Sequence, residues 1–337
     1  MSTYITNTTD LTSVANAIRT KGGTSASLTY PTGFVNAINA IPSGGGDTPP
    51  DPANDGKVHL YISIPDGTES AKRVFAVQFT QSAANGVTVN WGDGSAAETY
   101  TGTSSSQRTH VYTDCGDYHI TLTKSTGVTL TFATYIYGGS TTQCGFSKIY
   151  LKYAYLYGMD SATGSIFQYC SNLKKVVCPT AATLSGQSAF AYCTSLKSVT
   201  LPNITTLPAY TFNYCVSLET VTLPNITSGG TSIFSQCFSL KTITLPSSLT
   251  EIPNYFLQYC FSLQSVTIPS TVTSIGNSAF AQAPSCKEYH VLPATPPTLG
   301  TTPFSNISTG TKIYVPSASL ANYQTAWSSY ATYLVGE

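Results

Sequence analysis

Charged side chains are scarce in this sequence of 337 residues, since only 9% are Asp, Glu, Lys or Arg. Soluble domains usually carry about 25%, so hydroxyl and amide groups, including those of 23 tyrosines, must solvate the surface. The 15 basic and 15 acidic residues balance to a net charge of zero. This balance argues against the basic surface that nucleic-acid binding requires, and we predict no nucleic-acid partner.

Sequence features of membrane proteins and of enzymes are also missing. There is no run of 18 apolar residues, so we expect no membrane span. The first ten residues hold neither a basic nor an apolar stretch, and we expect no secretory signal peptide. Phosphate-binding glycine loops and nucleophile elbows are absent, and the four histidines are not spaced like metal ligands. We predict a protein that is not an enzyme and has no catalytic residues, cofactor or metal.

The second half of the sequence instead contains a repeat of 22 or 23 residues. Each unit has an apolar-x-x-apolar-x-apolar core, as in residues 218–223 and 240–245, and a proline often follows because it cannot donate a ladder hydrogen bond. One coil cannot bury its own apolar face, but stacked coils can. The pattern predicts a solenoid of about eight coils over residues 138–316.

The last segment, residues 317–337, is predicted to cap this solenoid. Leu320, Tyr323, Trp327 and Tyr330 follow one another at helical spacing. A short helix would therefore lay an apolar stripe over the last coil, which terminal repeats require.

Two stretches carry a resemblance to a known family. Residues 240–260 (LKTITLPSSLTEIPNYFLQYC) and 266–280 (VTIPSTVTSIGNSAF) resemble the unit of the BspA-like leucine-rich repeats. The resemblance covers roughly half of the sequence and implies a leucine-rich-repeat solenoid. The family occurs in bacterial surface adhesins, in protist surface proteins and in phage-encoded structural proteins.

Five of the nine cysteines recur with the repeat. Equivalent residues on stacked coils point the same way, about 4.8 Å apart, whereas disulfides need Cβ atoms that converge. We therefore predict buried free thiols that act as small apolar groups. These cysteines are Cys170, Cys193, Cys215, Cys237 and Cys260.

Residues 57–137 alternate apolar and polar residues in short runs between turn signals, which predicts a β-sandwich. The stretches 87–95 (VTVNWGDGS) and 110–122 (HVYTDCGDYHITL) resemble a PKD domain, which has an immunoglobulin-like fold. The resemblance implies a spacer or adhesive module. Asp93 could bind a metal, but we favour a turn-forming aspartate that bonds its own backbone. The predicted fold class is mostly β, with this sandwich before the solenoid and a short helical segment before both.

Residues 1–41 are predicted to form two short helices, and residues 42–56 a linker of glycine and proline. Forty residues bury too little surface to fold alone comfortably, so we expect them to pack on a partner. Residues 11–38 resemble a segment at the start of structural proteins of Firmicutes phages and prophages, which implies attachment to other virion proteins. The candidate attachment residues are Leu11, Val14, Ile18, Phe34, Val35 and Ile38.

The outward residues of the repeat strands form the candidate binding face, because solenoids often bind partners on such a surface. A solvated sheet face is the simpler interpretation, since threonine favours strands. Tyrosines near the array start and on the return segments, among them Tyr153, Tyr155, Tyr169, Tyr192 and Tyr214, are a second candidate. The residues of the candidate binding face are Lys174, Lys197, Thr200, Thr222, Lys241, Thr244, Thr267, Lys287 and His290.

Together these patterns predict a phage virion protein, such as a tail-fibre, baseplate or capsid-surface component. Its solenoid would bind a glycan or protein of the bacterial surface, and its location would be the particle surface. The alternative is a leucine-rich-repeat adhesin on a bacterial cell surface. The sequence leaves the ligand, the host and homo-oligomerisation open.

Overall fold

The computed structural model describes residues 52–133, 149–179, 183–223 and 225–337. The predicted attachment segment with its six candidate residues, most of the predicted linker and the boundary at 137/138 lie outside these ranges. Within these ranges, no helix has the length and apolar character needed to cross a bilayer.

Antiparallel strands in two sheets form the first part of the fold, which we call the N-terminal β unit. In one sheet, β1 (residues 58–64) pairs with β6, and β3 pairs with both β6 and β4. In the other sheet, β2 pairs with β5 and β7. Buried side chains such as Phe79, Trp91 and Leu122 belong to one core. The alternating runs at residues 58–64, 75–79, 87–91 and 118–123, which predict strands, fall on β1, β2, β3 and β6. The strands are β1 (Val58–Ile64), β2 (Val74–Gln81), β3 (Val87–Asn90), β4 (Glu98–Tyr100), β5 (Ser106–Val111), β6 (Gly116–Lys124) and β7 (Leu130–Ala133).

Eight coils follow, which confirms the predicted number. The apolar-x-x-apolar-x-apolar core forms the main strand of each coil, and its central residue is buried at every step from Val176 to Ile313. Parallel pairing keeps equivalent residues of neighbouring coils in register. The main strands are β8 (Leu151–Leu156), β10 (Lys175–Val177), β12 (Ser198–Thr200), β14 (Thr220–Thr222), β16 (Thr242–Thr244), β18 (Ser265–Ile268), β20 (Glu288–Val291) and β22 (Lys312–Val315).

The return segments of the first seven coils each contribute a second strand of two or three residues that the sequence pattern did not predict. The inward residue of this strand is apolar in most coils, as Leu207, Ile252 and Ile275 illustrate, and these three are buried. The second strands are β9 (Ser161–Thr163), β11 (Thr183–Leu184), β13 (Thr206–Leu207), β15 (Ser228–Gly229), β17 (Glu251–Ile252), β19 (Ser274–Ile275) and β21 (Thr298–Leu299).

The N-terminal β unit and the solenoid share both of their sheets. Strand β1 lies between β6 and β8, with Leu60 opposite Ala154. Strand β7 pairs with β9, with Phe132 opposite Ala162. The order β4-β3-β6-β1-β8-β10-β12-β14 is therefore one eight-stranded sheet, and β5-β2-β7-β9-β11 is a second. The N-terminal β unit thus covers the sheet edges of the first coil, as a capping element must.

Turns form the third side of each coil. Phe167, Phe190, Phe212 and Phe234 stack there, with ring centroids 5.4, 5.2 and 5.4 Å apart. Tyr210 and Tyr214 adopt positive φ angles of 61° and 59°, and equivalent residues of most other coils do the same. That conformation costs about 1–2 kcal/mol for a residue with a side chain. Hydrogen bonds from such residues to the next coil, as from the Tyr210 N–H to the Thr231 carbonyl, offset this cost.

The repeat cysteines form a buried column beside these phenylalanines, in line with the burial that we predicted. Each thiol from the second onward also donates to a phenylalanine carbonyl of the preceding coil, at distances of 3.0 to 3.2 Å. Burial raises the pKa of the Cys215 thiol well above its usual range. The thiols are therefore protonated donors as well as small apolar groups.

The C-terminal residues cap the last coil, as the spacing of apolar residues predicted. Helix α1 (Leu320–Ala326) and the 3-10 turn Ser328–Tyr333 bury Tyr323 and Trp327. The Trp327 indole donates to the Pro297 carbonyl at 2.9 Å, and the Tyr323 hydroxyl donates to the Pro293 carbonyl at 2.7 Å. The chain then adds strand β23 (Leu334–Gly336), which pairs with β22 and was not predicted.

A seam lies between the fourth and fifth coils. Strands β14 and β16 belong to different sheets, and so do β15 and β17. The inward position of β15 is Gly229, where neighbouring coils carry leucine or isoleucine. A small apolar cavity of about 10 Å³ lies beside it, lined by residues such as Leu207, Ile233 and Phe256. Across the seam, hydrogen bonds on the turn side continue, as from the Phe234 N–H to the Phe256 carbonyl.

Candidate functional site

The outer face of the main sheet is built by the repeat core itself. Within each coil the residues before and after the central apolar residue point away from the core, because side chains alternate along a strand. Strand pairing aligns Thr200 with Thr222, and Thr244 with Thr267 and His290, in one column. The four threonines are exposed and His290 is half-buried. The structure therefore brings together the predicted threonine and histidine positions.

The predicted lysine positions form a second column at the start of the same strands. Backbone hydrogen bonds join Lys174 to Lys152 and to Lys197, and further bonds link Lys241 through Gln264 to Lys287. The side chains of Lys197, Lys241 and Lys287 are exposed. Glu219 occupies the position between Lys197 and Lys241. All nine predicted face residues therefore lie on one surface, while whether that surface binds a ligand stays a prediction.

At the last two coils, the outer face ends with a contact between two aromatic side chains. His290 stacks on Tyr314, with ring centroids 4.9 Å apart and the rings 13° from parallel. The His290 Nδ1 atom lies 3.0 Å from a Glu337 carboxylate oxygen. Glu337, the residue after the C-terminal strand β23, therefore supplies a partner that orients His290, a contact that sequence spacing did not reveal.

A group of aromatic residues, which we call the junction cluster, lies where the N-terminal β unit meets the solenoid. It consists of His59, Tyr61, His119, Tyr153 and Tyr155. Tyr61 stacks on His119 with centroids 4.2 Å apart, and packs edge-on against both tyrosines of β8. Tyr153 and Tyr155 are buried on the outer side of the sheet, so they act mainly as covering residues.

The two histidines of the junction cluster are hydrogen-bonded to each other, with 3.0 Å between His59 Nδ1 and His119 Nε2. His59 Nε2 lies 2.9 Å from the Asp55 carboxylate. Burial, and then the neighbouring His59, lower the pKa of His119. Sequence reasoning missed this pairing, because strands β1 and β6 bring together residues that are 60 positions apart.

Asp93 has the turn-forming role that we favoured from the sequence. Its carboxylate accepts a hydrogen bond of 3.0 Å from the Ser95 N–H and also lies 2.6 Å from His110 Nε2. His110 in turn stacks on the buried Trp91, with centroids 5.0 Å apart. Burial alone would raise the pKa of Asp93, but the hydrogen bonds from Ser95 and His110 outweigh it and lower that pKa to about 2. Among the described residues, no group of three or more potential metal ligands converges.

The tyrosine positions on the turn side form a stacked row. Tyr192 lies between Tyr169 and Tyr214, with ring centroids 4.9 and 4.6 Å away. Tyr169 is 53% exposed at the end of the row, whereas Tyr214 is buried. Stacking covers most ring faces, so this row offers ring edges and one open face rather than a broad platform.

Comparison with known proteins bears on the solenoid. Six copies of a family model described as the BspA type leucine-rich repeat region match within residues 139–219 and 160–287. A search of curated proteins found no match.

Solved structures of leucine-rich-repeat proteins are also similar. A leucine-rich cell surface protein of Faecalibacterium prausnitzii A2-165 is 26% identical, covers 56% of this chain and 50% of its own, and gives a TM-score of 0.44. A leucine-rich repeat protein of T. pallidum is 24% identical over 51% of this chain and 78% of its own, with a TM-score of 0.42. A leucine-rich repeat protein of Bacteroides ovatus is 17% identical over 57% of this chain and 68% of its own, with a TM-score of 0.32. The match thus spans half the length of the Faecalibacterium prausnitzii protein.

Proposed function

We propose that this protein, whose residues 139–287 are a leucine-rich repeat region of the BspA type, is a non-enzymatic adhesion protein. It binds a feature of the bacterial surface, a glycan or a protein, through the outer face of its main sheet. The observation that carries the proposal is the alignment of exposed threonine and lysine side chains on six successive coils, the third to the eighth. Such a face offers many equivalent polar contacts along the solenoid.

The chemistry of this face favours many weak contacts over one deep site. Thr200, Thr222, Thr244 and Thr267 each present a hydroxyl that can donate and accept a hydrogen bond. Thr200 and Thr222, and likewise Thr244 and Thr267, lie on paired strands, whose spacing is about 4.8 Å. Affinity for a surface then grows with the number of copies that bind at once.

We further propose that the protein is carried on a phage virion. The support is the resemblance of residues 11–38 to the start of phage structural proteins. In this proposal residues 1–41 bind other virion proteins, and a PKD-like, immunoglobulin-like unit over residues 57–137 separates them from the solenoid. A bacterial cell-surface adhesin is the second candidate, which the naming of the Faecalibacterium prausnitzii relative as a cell surface protein favours.

Cell binding tests the adhesion proposal. The full-length protein, labelled and coupled to beads, should decorate host cells more strongly than the same protein in single copies. The double variant Thr222→Gln, Thr244→Gln should bind several-fold less, since longer side chains block close approach to the face. The matched control Thr206→Gln, Thr298→Gln changes exposed threonines of the second strands and should bind normally. Equal loss in both variants, or no decoration of any host, would remove the proposal.

Mass spectrometry of purified phage particles tests whether the protein is carried on a virion. We expect stoichiometric copies of the protein on virions, and no incorporation of a variant that lacks residues 1–41. Detection only in cell-envelope fractions would favour the cell-surface adhesin.

A further inference from the structure

Positive charge is segregated onto one side of the solenoid. From residue 149 onward the described residues carry seven lysines and no arginine. Five directly precede or begin the main strands in one column, and two lie at outward positions in the next column. The Lys287 ammonium also contacts the Pro284 carbonyl and the Ser308 hydroxyl at the border with the turn side. We call these seven lysines the lysine face. They are Lys152, Lys174, Lys175, Lys197, Lys241, Lys287 and Lys312.

The acidic residues of the same region are divided between this face and the rest of the surface. Glu219, Glu288 and Glu337 lie among or beside the lysines, whereas Asp160 and Glu251 belong to the other sides. Asp117 of β6 lies 3.4 Å from Lys152 on the same sheet, so seven lysines against three glutamates and this aspartate leave three net positive charges on the lysine face. The second strands carry Glu251 and no lysine in the described residues. In a chain with so few charges, this one-sided arrangement gives the outer face a positive potential.

We infer that the lysine face binds a linear polyanion that runs across the strands, parallel to the solenoid axis. The lysines of the first column repeat at the strand spacing of about 4.8 Å, interrupted only by Glu219 and Gln264. A polymer with phosphate or carboxylate groups along its length can place successive charges over successive coils. This inference rests on the proposed function, since it names the ligand class of the same face.

The neighbouring columns provide contacts for the uncharged parts of such a polymer. The threonine hydroxyls lie alongside the lysines and can bond to sugar or ester oxygens. Lys175 lies over the Tyr155 ring, 5.5 Å from its centroid, and Tyr314 stacks with His290 at the other end. A folded protein partner fits less well, because protein interfaces depend on central aromatic and arginine anchors. In the described residues, the middle of this face carries neither.

Binding of purified polymers to the full-length protein tests the inference. The probes are polyphosphate, which carries phosphate groups, polygalacturonate, which carries carboxylates, and dextran, which is neutral. We expect one or both polyanions to bind at low salt, with affinity that falls as salt rises because each contact releases counterions. Dextran should not bind. Binding of dextran as tightly as the polyanions, or no binding of either polyanion, would overturn the inference.

Matched substitutions locate the site. Lys197→Gln with Lys241→Gln should weaken polyanion binding about tenfold at low salt, as expected when two exposed ion pairs of up to about 1 kcal/mol each are lost. Glu219→Gln should strengthen binding, because it removes the acid within the lysine column. Glu251→Gln changes the net charge equally but lies on the second strands, so binding should not change. Equal effects of the two glutamate variants would show that net charge alone matters and would overturn the proposed site.

The two proposals fail in different ways. If the full-length protein decorates cells but binds neither purified polyanion, the polyanion inference is wrong and the adhesion proposal stands. If the polyanions bind and the cells do not, the adhesion proposal is wrong for that host while the ligand class is upheld.

Discussion

At the scale of single residues, the repeated cysteine has two roles that the sequence could not separate. Its interval of 22 or 23 residues predicted a buried, unpaired thiol, because stacked side chains do not converge. The hydrogen bonds from the thiols of Cys193, Cys215, Cys237 and Cys260 to phenylalanine carbonyls depend on backbone geometry in the preceding coil, which no sequence pattern encodes. The structure therefore changes the expected response to substitution.

Cysteine substitutions distinguish the two roles. We expect Cys215→Ala to lower the free energy of unfolding by about 1–2 kcal/mol, because it removes buried volume and the bond to the Phe190 carbonyl. Cys215→Ser should cost less, since its hydroxyl can still donate to that carbonyl. Chemical denaturation gives the free energy of unfolding of both variants and shows which is the less stable. A serine variant clearly less stable than the alanine variant would mean that the thiol acts only as an apolar group.

The Asp93–His110 contact should make the stability of the N-terminal β unit depend on pH in the acidic range. The folded-state pKa of Asp93 is about 2, below its usual 3.8, so this carboxylate stabilises the fold above about pH 4. The stabilisation is lost as the pH falls through 2. Asp93→Asn should therefore cost about 1–2 kcal/mol at pH 7 and progressively less towards pH 2.

Thermal unfolding at several pH values checks this prediction. The control is Asp66→Asn, a change at an exposed turn position that should leave the unfolding temperature almost unaltered. If the unfolding temperature of Asp93→Asn lies below that of the native protein by the same amount from pH 7 to pH 2, ionisation of this carboxylate does not stabilise the fold.

At the scale of secondary-structure elements, β15 differs from the other described second strands because its inward residue, Gly229, is a glycine. The φ angle of Gly229 is not positive, so alanine can adopt the same backbone. A Cβ atom there would approach the flexible end of Ile233, 2.4 Å from its Cδ1 atom, beside the small cavity. We expect Gly229→Ala to raise the free energy of unfolding by about 0.5–1 kcal/mol, because alanine also restricts the unfolded chain.

The Ile233→Val variant tests whether the space around residue 233 determines the effect of Gly229→Ala on the free energy of unfolding. Ile233→Val removes the Cδ1 atom that a new Cβ would approach, so Gly229→Ala should be more favourable in that background than in the native chain. Calorimetric unfolding of the four chains gives the coupling between the two positions. Destabilisation by Gly229→Ala in both backgrounds would contradict the prediction.

Elements with a periodic sequence were predictable, and elements defined by long-range pairing were not. The central residues from Val176 to Ile313 repeat, so the main strands from β10 to β22 followed from the sequence. The first main strand did not, because Ala154, and not the expected Ile149, pairs with Val176. The second strands contain two or three residues each, which is too short for a recognisable alternation. The nine candidate face residues could be proposed from the sequence because they recur with the repeat, and their role in binding stays a prediction. The junction cluster was missed because His59, His119 and Tyr153 meet only through the pairing of three distant strands.

At the scale of the whole molecule, the shared sheets join the N-terminal β unit and the solenoid into one structure. A fragment that begins at residue 144 would expose the edges of β8 and β9, which β1 and β7 normally cover. Uncovered strand edges favour association with other chains. We expect this fragment to aggregate or unfold, whereas a chain that begins at residue 52 should remain monomeric and cooperatively folded.

Size-exclusion chromatography and thermal unfolding of the two fragments check this expectation. Matched amounts of both chains should be compared in the same buffer, with the full-length protein as the reference. A monomeric, cooperatively folded fragment 144–337 would show that the solenoid needs no cover on its first coil.

The seam between the fourth and fifth coils has a mechanical consequence. Both sheets are divided there, while the hydrogen bonds of the turn side continue from Ser232, Phe234 and Gln236 to the fifth coil. A sideways load on the distal coils would therefore bend the protein along the turn side, with the two strand-bearing sides opening first. Under fluid shear the seam would act as a compliant joint, so that the rows of lysine and threonine on either side of it could follow a curved surface.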